Sequence, residues 1–98
     1  MHYNFEWDNQ KAQTNLRKHN EVSFERAATV FIDPNMLVLY DAEHSIDEER
    51  WITVGIDRRG ILLTVCHTYK VESETSVLIR IYSARKATAK ENKNYREL

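Results

Sequence analysis

RWITVGIDRRGILLTVCHTY, residues 50–69, decides how this chain folds. Two runs rich in Ile, Val, Leu and Thr flank the polar tetrapeptide Asp57-Arg58-Arg59-Gly60, the pattern of two strands joined by a hairpin loop. The spacing predicts strands over 50–56 and 61–69. With Ile56 opposite Ile61, Val54 faces Leu63, Ile52 faces Val65 and Arg50 faces His67, so the apolar pairs share one face. The second face is then expected to show Trp51, Thr53 and Gly55 beside Leu62, Thr64, Cys66 and Thr68.

Working outward, residues 36–40 form a short apolar run that reads as the strand before this hairpin. The acidic loop 41–49, with five carboxylates, separates the two. It lacks the ligand spacing and turn glycine of a calcium loop. Downstream, KVESETS (70–76) leads into a strand over 77–83. Ile79 and Ile81 continue the apolar face there, and Arg80 and Tyr82 point to the other. At the N-terminus, residues 3–7 alternate apolar and polar, as a short strand does. Asp8 can cap a helix over 9–19 that Asn20 can end, and Ser23 can cap the next. Phe24, Ala27, Ala28 and Phe31 follow at i, i+3, i+4 and i+7, one face of an amphipathic helix that Asp33-Pro34 stops. Near the C-terminus, Thr88 and Glu91 have capping-box spacing, so a last helix over 89–98 is expected, with Tyr95 and Leu98 as its apolar residues. The predicted architecture is α+β: an N-terminal strand and two helices, a four-stranded antiparallel meander and a C-terminal helix, with the helices on one sheet face.

Ninety-eight residues, 42% apolar and 30% charged, with one Pro and two Gly, describe a folded chain of one domain spanning 1–98. Cys66 is the single cysteine, which suits a reducing compartment. MHYNFEWDN is not a signal peptide, and no apolar run nears the roughly 20 residues that span a bilayer. A cytoplasmic protein with no membrane association is expected. The net charge of −1 hides an asymmetry. Residues 1–49 carry four Lys/Arg against ten Asp/Glu, and residues 50–98 carry ten against five. A basic half is either a footprint for nucleic acid or an uneven spread of solubilising charge.

His2, His19, His44 and His67 show no metal-ligand spacing, and there is no glycine-rich phosphate loop, so no cofactor is expected. Cys66 sits mid-strand, where a free thiol behaves as a small hydrophobe rather than a nucleophile. What remains is a cationic cluster: Arg50, His67, Arg80, Arg85 and Lys86, with Tyr82 and Ser83 beside them. Such a set could support attack of an RNA 2′-hydroxyl on its neighbouring phosphate, which needs proton transfer and cations but no cofactor. His67 could carry either proton. Each residue also has a structural alternative: Arg50 paired with Glu48 or Glu49, His67 satisfied at a strand end, Arg85 and Lys86 on a solvated turn.

Several motifs in order resemble the BrnT family of toxins of bacterial type II toxin–antitoxin systems. They are F-x-W-D at the start of FEWDNQKAQTNLRKHN, then S-F-E-x-A, D-E-E-R, the strand ending in His-Thr, and R-I-x-S-A-R-K-A-T. The resemblance runs from about Phe5 to Tyr95. It implies a RelE-like fold and metal-independent endoribonuclease activity that inhibits translation. It also implies a BrnA-like ribbon-helix-helix antitoxin, in a 2:2 complex, that brings the toxin to operator DNA. The catalytic residues it implies are His67, Arg80, Arg85 and Lys86. Those expected to bind RNA are Arg50, Trp51, Tyr82, Ser83 and Lys11; Trp7 also matches the family. A non-catalytic nucleic-acid-binding or co-repressor module, and an interaction domain whose last helix docks on a partner, are the competing readings.

Overall fold

The computed structural model describes residues 1–19 and 22–97. The element order is β1 (His2–Glu6), α1 (Asn9–Lys18), α2 (Phe24–Thr29) running into a 3-10 turn (Val30–Ile32), β2 (Leu37–Tyr40), β3 (Arg50–Ile56), β4 (Leu62–Thr68), β5 (Lys70–Val71), β6 (Ser76–Lys86) and α3 (Ala89–Arg96). The expected helix-ending role of Asn20 and the apolar role of Leu98 fall outside the described residues. The caps form as the residue types dictate. The Asp8 carboxylate accepts from the Gln10 and Lys11 N–H groups, and the Ser23 hydroxyl from Arg26 N–H. Thr88 and Glu91 close a full capping box.

Strands β2, β3, β4 and β6 form the expected antiparallel meander, in the sheet order β1-β6-β4-β3-β2. The N-terminal strand pairs parallel with β6, which makes the sheet mixed, and β5 pairs antiparallel with the first part of β6. The register of the central hairpin differs by one residue from the sequence expectation. Ile56 pairs with Leu62, Trp51 with His67, and Arg50 with Thr68. The loop is the reason. The Asp57 carboxylate accepts from the Arg59 and Ile61 N–H groups, Asp57 N–H donates to the Ile61 carbonyl, and Gly60 takes a left-handed φ of 82°. A three-residue loop of this kind ends in a glycine in the left-handed region. The closing pair is therefore Asp57 with Ile61, not Ile56 with Ile61.

A one-residue slip exchanges faces. Trp51, Thr53 and Gly55 join His67, Val65 and Leu63 on the face that α2 covers. Ile52 and Val54 join Cys66 and Thr64 on the opposite face. On the α2 face, Phe24, Ala27, Val30 and Phe31 pack against Leu63, Val65, Ile79 and Ile81, the dry core of the molecule. Gly55 is required by this packing: a Cβ at that position would come within 2.7 Å of Val30 Cγ1. The third helix departs from the expectation that all helices share one face. Glu91 of α3 reaches the hydroxyl of Thr64, which alternates with Leu63 and Val65 and so points away from α2. α3 therefore lies on the far face, over one end of the sheet.

β6 is longer than expected. It runs on through Lys86, with a shift of register between Cys66 and His67: His67 pairs with Ile81 but Cys66 pairs with Ser83. Tyr82 is the extra residue, a β-bulge. Beyond Arg80, β6 has no strand on its β1 side. Asn15 of α1 takes that place: its amide donates to the Ala84 carbonyl at 2.7 Å and accepts from Ala84 N–H at 3.0 Å, as a neighbouring strand would. The buried Arg26–Asp57 pair ties α2 to the hairpin loop. Arg26 Nε donates to Asp57 at 2.9 Å, while Nη2 is equally close but not aligned as a hydrogen bond.

Candidate nucleic-acid site on the far face of the sheet

The bulge and the slipped register decide which polar groups meet. Arg50, at the start of β3, points to the far face, and its guanidinium carbon lies 4.4 Å from the centroid of the Tyr82 ring. This cation–π contact spans β4, whose Cys66 lies in that face between them. Arg50 is also 3.7 Å from Glu48, so its acidic tether is loose. The Tyr82 hydroxyl is shielded and has no hydrogen-bond partner among the described residues. Burial raises the pKa of this phenol, and the neighbouring Arg50 only partly offsets that, so it is a proton donor at neutral pH. Burial likewise raises the Cys66 thiol, which keeps it a thiol rather than a nucleophilic thiolate.

Arg85 occupies the other end of this face in a different state. Its guanidinium grips Glu91 of α3 with two hydrogen bonds, 2.7 and 3.0 Å long. Glu91 also accepts from the Thr88 N–H and from the Thr64 hydroxyl. Burial would raise this carboxyl, but the bonds from Arg85, Thr88 and Thr64 outweigh it and hold it down at about 2. The same contact with Glu91 raises Arg85. The bidentate pair fastens α3 to the sheet. A second fastening is the Tyr95 hydroxyl, which donates to Asp33 at 2.6 Å and is pushed up to about 12 by that bond.

The remaining expected site residues separate. Arg80 is exposed and, alternating with Ile79 and Ile81, points to the far face. Lys86 is exposed at the end of β6 opposite Leu63, on the α2 side, so Arg85 and Lys86 diverge instead of forming one corner. Ser83 and Tyr82 border a groove of about 430 Å³ along the free edge of β6, whose opposite wall is Lys11, Thr14 and Lys18 of α1. Trp51 is not on this face. It lies opposite His67 on the α2 side, edge-on to Tyr40 with ring centroids 5.1 Å apart.

His67 is the largest departure from the expected cluster. It is 1% exposed, with Nε2 2.7 Å from the Thr53 hydroxyl and Nδ1 2.9 Å from the Thr68 carbonyl, and the Phe31 ring stands edge-on to it. Burial lowers its pKa, so it is neutral near pH 7. The structure brings together Arg50, Tyr82, Arg80 and Ser83, with Lys11 at the adjoining groove. It places His67 and Trp51 on the opposite face and engages Arg85 with Glu91.

The family described as the ribonuclease toxin BrnT of type II toxin–antitoxin systems matches residues 7–91. The chain belongs to the BrnT family. Membership places it among ribonuclease toxins that act with an antitoxin partner. Its fold is similar to that of the Brucella abortus ribonuclease toxin BrnT, with a TM-score of 0.59 at 23% identity, over 90% of this chain and 99% of that one. No curated protein sequence matches the chain. Among the described residues no helix is long and apolar enough to cross a membrane. Two residues of this BrnT-family chain that shape the site carried no chemical motif in the sequence. Asn15 holds the free edge of β6, and Glu91 serves both the helix cap and Arg85. The capping spacing made Glu91 visible as a cap but gave no sign of its second partner.

Proposed function

We propose that this BrnT-family chain is a metal-independent endoribonuclease with a RelE-like arrangement. In this reading it acts in the cytoplasm, blocks translation, and is silenced by a BrnA-like ribbon-helix-helix antitoxin in a 2:2 complex that carries it to operator DNA. The observation that carries the catalytic reading is the Arg50–Tyr82 stack on the far face. It offers a weakly tethered cation held over an aromatic ring, with the exposed Arg80 on the same face. The reaction is attack of an RNA 2′-oxygen on the adjacent phosphorus. The bond to the 5′-oxygen breaks, leaving a 2′,3′-cyclic phosphate and a 5′-hydroxyl. Arg50 and Arg80 hold the phosphate oxygens as negative charge builds up, which is the largest contribution such a site can make. The Tyr82 ring steadies the Arg50 guanidinium, the 2′ proton passes to solvent, and the leaving 5′-oxygen takes its proton from solvent. Ser83 and Lys11 hold the backbone along the β6 groove, and Lys86 attracts it from the other side of the strand.

Arg85 acts as a positioning residue, fixing α3 and the end of the far face through Glu91. His67 and Trp51 support the sheet from beneath, His67 by its bond to Thr53. The test is purified toxin incubated with total RNA in excess EDTA. Cleavage to cyclic-phosphate ends is expected, and Arg80→Ala should slow it about 10- to 100-fold. Loss of all cleavage in EDTA overturns the mechanism. Salt-sensitive RNA or DNA binding without scission identifies a co-repressor module instead.

A further inference from the structure

The sheet ends in an unprotected edge. β2 is the last strand in the order, paired with β3 on one side only, and every second residue of such a strand directs its N–H and C=O groups away from the sheet. Natural edges are blunted by charge, proline or a bulge. Leu37-Val38-Leu39-Tyr40 has none of these, and Val38, Leu39 and Tyr40 are each 44–50% exposed. Directly after it comes the acidic loop, where Ile46 is 85% exposed. Within that loop Asp41 meets His44, and Glu48 is 3.7 Å from Arg50. Glu43, Asp47 and Glu49 have no cationic partner among the described residues.

We infer that β2 and the acidic loop form the docking surface for the antitoxin, which adds an extended segment to the sheet as a further strand beside β2. The segment that fits is apolar at alternate residues, to cover Val38 and Tyr40 on one side and Leu39 on the other, with a Lys- or Arg-rich flank against the loop. Main-chain bonds of such a strand supply affinity, and the side-chain pattern and charge supply specificity. Charge complementarity decides the occupant. A second copy of this chain is a poor match, because the segment that would lie beside the loop in an antiparallel pair, Asp33-Pro34-Asn35-Met36, offers no cation. This surface lies across the sheet from β6 and its α1 groove. Binding there leaves the antitoxin's remaining chain to reach the far face.

The inference rests on the reading that an antitoxin partner exists, and the experiment separates the two. The toxin is co-expressed with its cognate antitoxin, and backbone hydrogen exchange is compared between the purified complex and toxin alone. The expected result is at least tenfold slower exchange at outward-facing amides of residues 37–40 in the complex. The variant E43K/D47K/E49K, whose fold is checked by its unchanged thermal melt and unchanged RNA cleavage, should bind antitoxin at least tenfold more weakly, with a shallower salt dependence. A complex in which β2 exchanges as in free toxin, or whose affinity the charge reversal leaves unchanged, overturns the docking surface and leaves the partner reading intact. No complex at all overturns both. Protection of β2 in toxin alone that rises with its concentration identifies a second copy as occupant and overturns the inference.

Discussion

His67 on one face of the sheet and Arg50 on the other show opposite treatments of a polar side chain. On the α2 face, His67 and Thr53 satisfy each other inside an apolar core, and the imidazole is stripped of charge by burial. On the far face, Arg50 is held only by the Tyr82 ring and a loose 3.7 Å contact to Glu48, and Arg85 keeps its charge through a carboxylate borrowed from α3. A polar group that is fully paired and buried contributes rigidity; a charge that is exposed and loosely tethered is available to a ligand. The lesson is that residue type does not locate a site. The histidine is the most catalytic residue type in the cluster and the one most thoroughly enclosed.

The comparison is broken most severely from the α2 side. His67→Ala should cost about 2–4 kcal/mol, since it opens a cavity beside Phe31 and orphans the Thr53 hydroxyl. Urea denaturation measures this, and a loss below about 0.5 kcal/mol would show that His67 is not sealed in the core. Histidine NMR gives the same contrast without a mutation. The His67 signal should stay that of a neutral ring as pH falls through 6.5.

The far face is held by polar bonds, so its disruption costs less. Glu91→Gln should destabilise the chain by about 1–2 kcal/mol, through loss of the Arg85 clamp and part of the cap. The sign of the pH effect follows from the lowered carboxyl. Glu91 is ionised in the folded state down to about 2 and in the unfolded state only above its ordinary value. Its stabilisation is complete above about pH 5 and is lost as pH falls toward 2. His67 adds acid sensitivity in the same direction below about 6.5, because the unfolded chain takes up a proton that the buried ring refuses. Glu91→Gln should therefore flatten the urea-midpoint profile below pH 5 but not between 5 and 6.5.

Much of this was legible in the sequence, and the misses share a cause. The meander, the helix caps and the capping box were readable because each rests on neighbours a few residues apart. The face assignment failed on a single turn. The carboxylate of Asp57, used for loop N–H groups and Arg26, moved the closing pair by one residue and sent Thr53 and Trp51 to the other side. Alternation alone could not reveal this, because Ile52 and Val54 are as apolar as a core face requires. The pairing of Arg85 with Glu91 joins two elements, and spacing carries no trace of it. The Tyr82 bulge was hidden for the same reason.

The smallest expected effect is at Lys86, which is exposed, diverges from the far face and makes no side-chain hydrogen bond or ion pair among the described residues. Lys86→Ala should leave the urea midpoint within about 0.5 kcal/mol and reduce the salt dependence of RNA binding by less than one contact's worth. A loss of cleavage beyond about tenfold with normal RNA binding would place Lys86 in the chemistry after all.

The most direct measurement is single-turnover RNA cleavage in EDTA by Arg50→Ala and His67→Gln, each first shown to be folded by its thermal melt. The far-face account predicts a loss of about 100-fold or more for Arg50→Ala, and a rate within about threefold of the parent for His67→Gln. A His67→Gln variant that folds but does not cleave, beside an active Arg50→Ala, would contradict it.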